Sequence, residues 1–300
     1  MKPDEVYIME KQHLHLKGPS VSRIVAGAWR WDGSSGLDVN RLVSTCLESG
    51  ITSFDHADIY GDYENQKIFG QVIRKNPSLR NQMQLISKCG IRLVSSKHPD
   101  TWVKHYDTSK EHILKSVDTS LSELATDYLD LLLIHRPDPF MNPEVVSETF
   151  GLLRQNGKVL HFGVSNFTPS QFEMLQKYLP FPLVTNQVEI SLGKLDAFYD
   201  GTLDILQKYE TAPMVYSPLG QGKLVSEKSA SELWSKKEKY DATETQLALA
   251  WLLNHPSNMC PVIGTTKTER ILESAKAVNI HLDRQDWFDM LRIASGNDVP

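Results

Sequence analysis

Ionisable and hydrogen-bonding side chains recur where the short apolar segments of this sequence end. In chain order these side chains belong to Asp55, Tyr60, Lys88, His135, Ser165, Asn166, Gln187, Tyr216 and Ser217. Asp, Tyr, Lys and His are residues that enzymes use to move protons, so the first four positions are candidates for general acid–base chemistry. Taken alone, each is more often a solvated charge or a satisfied core group. The elements that carry these side chains decide whether they meet.

The apolar segments alternate with longer amphipathic stretches along the chain, which is the pattern of repeated β–α units. Eight strands are predicted, at residues 24–29, 51–55, 85–88, 129–135, 161–166, 183–187, 213–220 and 260–266. Since no linker divides the chain, we predict one α/β domain over residues 1–300. A (β/α)8 TIM barrel fits better than a doubly wound sheet, with an N-terminal β-hairpin at 13–23 and an extra C-terminal helix at 284–294. The carboxyl ends of its strands would gather the polar side chains at one mouth.

Composition excludes several classes of function. The net charge of -5, from 32 basic and 37 acidic residues, provides no positive field for a nucleic acid. No apolar stretch has the length of a signal peptide or a membrane span, so we predict a cytoplasmic protein without a membrane partner. Cys46, Cys89 and Cys260 form no CxxC pair and the histidines form no HExxH motif, so neither disulfides nor a metal site is predicted.

A series of short motifs follows one order along the chain. FDHADIYG at residues 54–61 precedes ISK, LLLIHRPD, GVSNF, NQVE and YSPLGQG. In this order the motifs resemble the aldo-keto reductase family from end to end, including its relatives among the potassium-channel β subunits. The resemblance implies an oxidoreductase that uses NADPH to reduce an aldehyde or ketone to an alcohol by hydride transfer.

The four active-site residues of that family match Asp55, Tyr60, Lys88 and His135. Their chemistry agrees with the match, because an acid working near neutral pH needs a pKa well below the value of about 10 of free tyrosine. A shift of about three units is worth roughly 4 kcal/mol, which an ammonium about 4 Å away supplies at an effective dielectric near 20. We therefore expect Lys88 to lower the pKa of Tyr60, Asp55 to hold Lys88, and His135 to polarise the carbonyl.

The resemblance also implies a cradle for the cofactor, which the sequence must build without a GxGxxG motif. Ser165, Asn166 and Gln187 match the residues that bind the nicotinamide carboxamide, and Tyr216 matches the residue that stacks on the ring. The segment from Ser217 to Gly222 is expected to follow the pyrophosphate, with Leu219 and Gly220 among its contacts. Gly27, Ala28 and Trp29 are expected to line the cofactor from the loop after the first strand.

The segment IGTTKTERI at residues 263–271 predicts a phosphate site at a helix N-terminus. Thr266 and Glu269 have the spacing of a capping box. Lys267 and Arg270 place two cations where the helix dipole disfavours them, which indicates an anion such as the adenosine 2′-phosphate. Thr265, Thr266, Lys267 and Arg270 are therefore predicted to bind the cofactor and to favour NADPH over NADH. The commonest family pattern differs here, with a Lys-Ser pair at Gly264 and Thr265 and an Asn at Ser274.

Trp29, Trp31 and Arg136 are predicted to contact the substrate, and Arg136 stands where many family members carry Trp. Two other functions fit the same barrel. One is a redox-sensing regulatory subunit that binds nicotinamide cofactor with little turnover, as in the potassium-channel β subunits. The other is a lyase that uses Lys88 as a Schiff-base nucleophile.

Overall fold

A closed barrel of eight parallel strands forms the centre of the computed structural model, which describes residues 9–33, 36–225 and 232–298. An antiparallel hairpin of β1 (Lys11–His13) and β2 (Ser20–Ser22) precedes the barrel. The barrel strands, in chain order and in spatial order, are β3 (Val25–Gly27), β4 (Ser53–Asp55), β5 (Gln84–Cys89), β8 (Leu129–Ile134), β9 (Val159–Ser165), β10 (Leu183–Glu189), β11 (Met214–Tyr216) and β12 (Cys260–Ile263). A second hairpin, β6 (Ile91–Arg92) and β7 (His105–Tyr106), rises from the carboxyl end of β5.

Helices surround the barrel and connect its strands. The α-helices are α1 (Val39–Glu48), α2 (Asn65–Lys75), α3 (Lys110–Leu124), α4 (Pro143–Gln155), α5 (Pro169–Tyr178), α6 (Thr202–Lys208), α7 (Lys237–Tyr240), α8 (Glu244–Leu253), α9 (Thr268–Ala275) and α10 (Arg284–Ser295). Short 3₁₀ turns lie at Ala28–Arg30, Pro77–Gln82, Asp196–Phe198, Gly220–Gly222, Glu232–Trp234 and Lys276–Asn279. Within the described ranges, no helix combines the length and the apolarity that crossing a membrane requires.

The eight predicted strands are all present, and the predicted (β/α)8 barrel is confirmed. Long apolar strands such as LDLLLI form because a parallel strand in a barrel is covered on both faces. The seventh predicted strand, 213–220, is shorter than expected. It ends at Tyr216 because Ser217 has a φ of 51°, in the left-handed region, which turns the chain out of the sheet.

The predicted N-terminal hairpin is confirmed, and it closes the bottom of the barrel. Leu14 and Val21, at its turn and second strand, are fully buried and pack with interior side chains of the barrel such as Val25 and Leu131. The Leu14 carbonyl also accepts a hydrogen bond from the backbone N–H of Ala212 at 2.7 Å. The hairpin therefore excludes water from the end of the barrel opposite the polar mouth.

Successive side chains along a barrel strand point alternately into the barrel and toward the surrounding helices. His56 follows Asp55 and packs its ring edge-on against Phe69 of α2, with centroids 4.5 Å apart. Ser87 precedes Lys88 and accepts a hydrogen bond from Gln66 of α2 at 2.6 Å. Because successive strand residues point to opposite faces, Asp55 and Lys88 project into the interior.

Two glycines inside helices have opposite surroundings. A Cβ at Gly70 of α2 would overlap the backbone carbonyl oxygen of Glu123 in α3, whereas a Cβ at Gly151 of α4 would meet no atom within 4 Å. Gly70 therefore permits the close approach of α2 to α3. Because α2 begins directly after the loop that carries Tyr60, the position of α2 against α3 also sets where that loop ends.

The predicted C-terminal helix is confirmed as α10, which packs on α8 outside the barrel. The indole rings of Trp251 and Trp287 stack with centroids 4.8 Å apart and an interplanar angle of 9°. Each indole N–H donates to the other residue's backbone carbonyl, at 3.1 Å from Trp251 and at 2.8 Å from Trp287. These reciprocal bonds satisfy two polar groups that burial would otherwise leave without acceptors.

Candidate active site

Lys88 lies at the centre of the polar mouth, with 1% of its surface exposed. Its ammonium donates to Asp55 Oδ2 at 2.6 Å, to the His56 carbonyl at 2.9 Å and to the Tyr60 hydroxyl at 3.0 Å. These three acceptors use all the donors of a lysine ammonium. Strand β4 supplies Asp55, the adjacent strand β5 supplies Lys88, and the loop before α2 supplies Tyr60, so the cluster forms when β4 and β5 pair and that loop packs beside them.

The charges of this cluster are strongly coupled. Burial by itself lowers the pKa of Lys88, but Asp55 and Tyr60 favour the charged form more, and the net effect raises that pKa. Burial raises the pKa of Tyr60, and the positive charge of Lys88 opposes that rise only in part. The expected net lowering of the Tyr60 pKa is therefore wrong. Burial, which the sequence does not display, outweighs the ammonium.

His135 completes the predicted group of four at the end of β8. Its backbone N–H donates to the Cys89 carbonyl at 2.8 Å, and its ring centroid lies 5.9 Å from that of Tyr60. Burial first, then the charges of Lys88, Arg136 and Lys104, hold the His135 pKa well below its ordinary value. The imidazole is therefore neutral at neutral pH and carries one N–H that it can donate.

A second polar cluster occupies the ends of β9, β10 and β11. Ser165 donates to the Gln187 carbonyl at 2.8 Å, the Asn166 amide donates to Ser165 Oγ at 2.8 Å, and the Tyr216 hydroxyl donates to Asn166 Oδ1 at 2.8 Å. Gln187 Nε2 donates to Asp55 Oδ1 at 2.9 Å. The predicted carboxamide-binding residues thus belong to one hydrogen-bond network with three of the four predicted catalytic residues, Asp55, Lys88 and Tyr60.

Two residues of this region have strained backbones. Asn166 has a φ of 60° and Ser217 a φ of 51°, where non-glycine residues are uncommon. The strain directs the chain away from the sheet immediately after β9 and β11. Such outliers persist at sites where the surrounding structure holds them, often for function. The turn continues through Leu219, Gly220 and Gly222.

The loop after β3 is held by a residue that the sequence analysis missed. Asn65, at the start of α2, donates through Nδ2 to the carbonyls of Ala28 and Trp29, both at 2.9 Å. Asparagine is a helix-capping residue type, but Asn65 is the first residue of α2 and does not cap it, so its type did not indicate this role. Gly27 lacks a side chain for a reason of packing, because a Cβ there would lie 3.0 Å from Val262 Cγ1.

The three predicted substrate residues separate into two groups. Trp29 is 60% exposed, and its ring lies edge-on to that of Tyr60 with centroids 5.0 Å apart. The Arg136 guanidinium lies 5.9 Å from the centroid of the Tyr216 ring, so it also faces the mouth. Trp31 does not, and its predicted substrate contact is wrong. It is 1% exposed, packs against Phe54 and Phe69, and donates its indole N–H to the Thr265 carbonyl at 3.0 Å.

At the predicted phosphate site, the helix begins later in the chain than expected. Helix α9 begins at Thr268 with Lys267 as the N-cap residue, and no side chain caps it. The predicted capping box of Thr266 and Glu269 is therefore wrong. Thr265 Oγ1 instead accepts a hydrogen bond from the backbone N–H of Lys267 at 3.1 Å and so closes a short turn. The hydroxyl that is used belongs to Thr265, one residue before the predicted Thr266. Lys267 and Arg270 are exposed at this end of α9.

Comparison with known proteins gives consistent matches. The model of the Aldo/keto reductase family matches residues 23–294. The chain is 44% identical over 292 residues to Oxidoreductase YdhF of Escherichia coli, with 95% of this chain and 97% of that protein covered. It is 42% identical over 287 residues to a 6-dehydroglucose reductase of Agrobacterium fabrum, with 93% and 96% covered. A Schizosaccharomyces pombe relative named after the voltage-gated potassium channel subunit beta is 28% identical over 304 residues, with 88% and 87% covered.

Solved structures share the fold. A thermostable aldo-keto reductase in complex with the inhibitor epalrestat has a TM-score of 0.80 and 26% identity. The match covers 95% of this chain and 100% of that chain. An aldo/keto reductase from Klebsiella pneumoniae in complex with NADP and acetate has a TM-score of 0.79 and 24% identity, with 95% of both chains covered. At 24% identity the second match bears on the fold alone.

Proposed function

We propose that this chain, which belongs to the aldo/keto reductase family, reduces an aldehyde or ketone to an alcohol with NADPH, and that Tyr60 is the proton donor. One observation carries the proposal. The Tyr60 hydroxyl lies 3.0 Å from the Lys88 ammonium, which in turn lies 2.6 Å from Asp55. This is an arrangement in which a phenol can lose its proton without leaving an uncompensated charge.

The residues divide the work of proton delivery. NADPH, when bound, supplies the hydride that the carbonyl carbon accepts. As charge develops on the carbonyl oxygen, Tyr60 gives it a proton, and the phenolate is stabilised by Lys88. A raised Tyr60 pKa is compatible with this step, because the phenol is protonated at neutral pH and an alkoxide is a much stronger base than a phenolate. His135 donates its N–H to the same oxygen, and Asp55 keeps Lys88 charged and oriented.

The strand ends fit a nicotinamide nucleotide. Asn166 and Tyr216 form a hydrogen-bonded pair beside the mouth, and the strained turn at Ser217 opens the barrel edge there. A Cβ at Gly222 or at Gly264 would meet no atom within 4 Å, so these two segments leave room for a ligand to approach the backbone. Lys267 and Arg270 supply exposed positive charge for the 2′-phosphate.

The substrate is proposed to be a small hydroxylated carbonyl compound. Arg136 and Lys104 both act electrostatically on His135, so the mouth presents N–H donors beside the proposed proton donor. Such donors can bind hydroxyl oxygens as well as anions. The relative that is 42% identical is named a 6-dehydroglucose reductase, whose substrate is a sugar that bears an additional carbonyl group.

The first prediction tests turnover and cofactor preference together. We expect the purified protein to oxidise NADPH in the presence of small aldehydes, with hydroxylated aldehydes and sugar-derived aldehydes preferred over plain alkanals. The measurement is the loss of NADPH absorbance across a carbonyl panel at neutral pH, repeated with NADH. Absence of turnover with every carbonyl, despite measurable NADPH binding, would contradict the proposed reaction and favour the regulatory-subunit alternative.

The second prediction concerns cofactor selectivity. In Arg270→Ala we expect NADPH affinity to fall about ten-fold or more relative to NADH affinity, because a charge-assisted bond to phosphate is worth roughly 1.5 to 3 kcal/mol. Titration of intrinsic fluorescence with each cofactor measures the two affinities. Arg284→Ala is the matched control, since Arg284 is an exposed arginine in the first turn of α10. Equal weakening of both cofactors would move the phosphate site elsewhere, with Lys267 the next position to test.

Of the alternatives, the lyase has the least support. A Schiff-base nucleophile must be a neutral amine with a free lone pair. The Lys88 ammonium donates to three acceptors, and its pKa is raised. The regulatory-subunit alternative is supported by the match to the channel-subunit relative.

We further infer one domain over residues 1–300. The net charge of -5 agrees with small-molecule rather than nucleic-acid partners, and the three buried free cysteines agree with a cytoplasmic location.

A further inference from the structure

The loop that carries Tyr60 contains a buried carboxyl group for which the proposed reaction has no use. Asp58 lies two residues before Tyr60 and is 9% exposed. Its backbone N–H donates to the Lys88 carbonyl at 3.1 Å, and its Oδ2 accepts from Ser116 Oγ of α3 at 2.7 Å. Asp58 therefore connects the Tyr60 loop to the strand that supplies Lys88 and to the helix behind both.

The other carboxylate oxygen, Asp58 Oδ1, is buried and has no hydrogen-bond partner among the residues that the structure describes. A buried acceptor without a partner is costly when charged, so the environment favours the protonated carboxyl group. The charged and titratable groups that act on this site are Lys88 and Cys89 of β5, Glu123 of α3 and Tyr63 of the same loop. Lys88 favours the carboxylate, whereas Glu123 opposes it.

We propose that Asp58 is a positioning residue for the Tyr60–Lys88 pair, and that the charge of its side chain controls how readily Tyr60 releases its proton. The inference rests on the proposed reductase function. A carboxylate at this position adds negative charge behind Lys88, which offsets part of the ammonium charge that the Tyr60 phenolate needs. A neutral carboxyl group leaves that charge undiminished, while the bond from Ser116 holds the loop in either state.

The pKa values separate Asp58 from the residues of the reaction itself. Burial raises the pKa of Asp58 to about 7, and the bond from Ser116 and the Lys88 charge oppose that rise only in part. The pKa values of Tyr60 and Lys88 are raised above ordinary values that already lie above 9, and that of His135 is lowered. A change in rate near neutral pH is therefore assigned to Asp58.

The third prediction measures this assignment through activity. At saturating NADPH, which removes the titration of the cofactor phosphate from the comparison, we expect kcat to fall about two-fold to ten-fold as pH rises from about 6 to about 8.5. Asp58→Asn should flatten this profile. Ser116→Ala, which keeps the carboxyl group but removes a bond that lowers its pKa, should move the fall to higher pH. Asp62→Asn, an exposed carboxylate in the same loop, should leave the profile as it is.

A parallel measurement does not depend on turnover. Because the folded state binds a proton at Asp58 between its unfolded pKa of about 4 and its folded pKa of about 7, the stability of the wild-type protein should decrease as pH rises through that window. The decrease in Tm should be smaller in Asp58→Asn. If the wild-type protein reduces no carbonyl, the proposed function fails while this comparison still tests the titration. A kcat profile that is unchanged in Asp58→Asn, or a Tm profile that is unchanged, would overturn the inference.

Discussion

Replacement of Tyr60 by Phe is expected to reduce kcat by about 100-fold to 10,000-fold while NADPH affinity changes little. The substitution removes one hydroxyl group and keeps the ring that packs between Trp29 and His135. The hydroxyl is the proposed source of the proton, whereas the proposed cofactor contacts lie on other strands. Steady-state kinetics and a fluorescence titration with NADPH separate the two effects. If Tyr60→Phe kept nearly full activity, the proton would have to come from elsewhere, and His135 would be the first candidate.

Lys88→Met tests the other member of the hydrogen-bonded Tyr60–Lys88 pair. The variant retains Tyr60 but removes the charge that stabilises the phenolate, so we expect a loss of kcat of similar size. The double variant should be about as slow as either single variant, because residues that act as a unit show non-additive effects. Multiplying defects would contradict a shared role. Circular dichroism of Lys88→Met is a necessary control, since Asp55 would remain buried without its ion-pair partner.

The largest expected effect on stability comes from Gly70→Ala. The added Cβ would overlap the Glu123 carbonyl oxygen, so α2 and α3 would have to separate. Overpacking typically costs about 1–3 kcal/mol, and a backbone obstacle cannot rotate away as a side chain can, so we expect a loss of at least about 3 kcal/mol. Chemical denaturation measures the free energy of unfolding of the variant and the wild type.

Gly151→Ala is the matched control, because it makes the same change in a helix interior where space is open. There the substitution should stabilise the protein by about 0.5–1 kcal/mol through the higher helix propensity of alanine. The two variants thus have expected effects of opposite sign. A Gly70→Ala protein as stable as the wild type would mean that α2 and α3 are not held as closely as the structure indicates.

Features that repeat along the chain were predictable from the sequence. The barrel follows from apolar segments that recur with helices between them, and a strand covered on both faces, such as β8, is recognisable without any partner. Asp55, Lys88 and Gln187 lie at or near the carboxyl ends of their strands, so the barrel brings them together at one mouth, as their bonds in the structure demonstrate.

Features that depend on a balance between distant groups were not predictable. Trp31 is buried because it packs against Phe69 and bonds to Thr265, which is 234 residues away in the sequence. The direction of the Tyr60 pKa depends on a competition between burial and charge, and only the charge is visible in the sequence. The bond between Asp58 and Ser116 joins residues 58 positions apart, in a loop and a helix that no sequence pattern relates.

The stacked pair of Trp251 and Trp287 gives the outer helix an optical signature. Two indoles with ring centres 4.8 Å apart are close enough for their ultraviolet transitions to couple, so we expect circular-dichroism bands that neither ring would produce alone. Because one ring belongs to α8 and the other to α10, the coupling exists only while α10 is docked. We therefore expect the far-ultraviolet spectrum to contain a contribution that is not from the backbone and that reports the docking of α10 separately from the melting of the barrel.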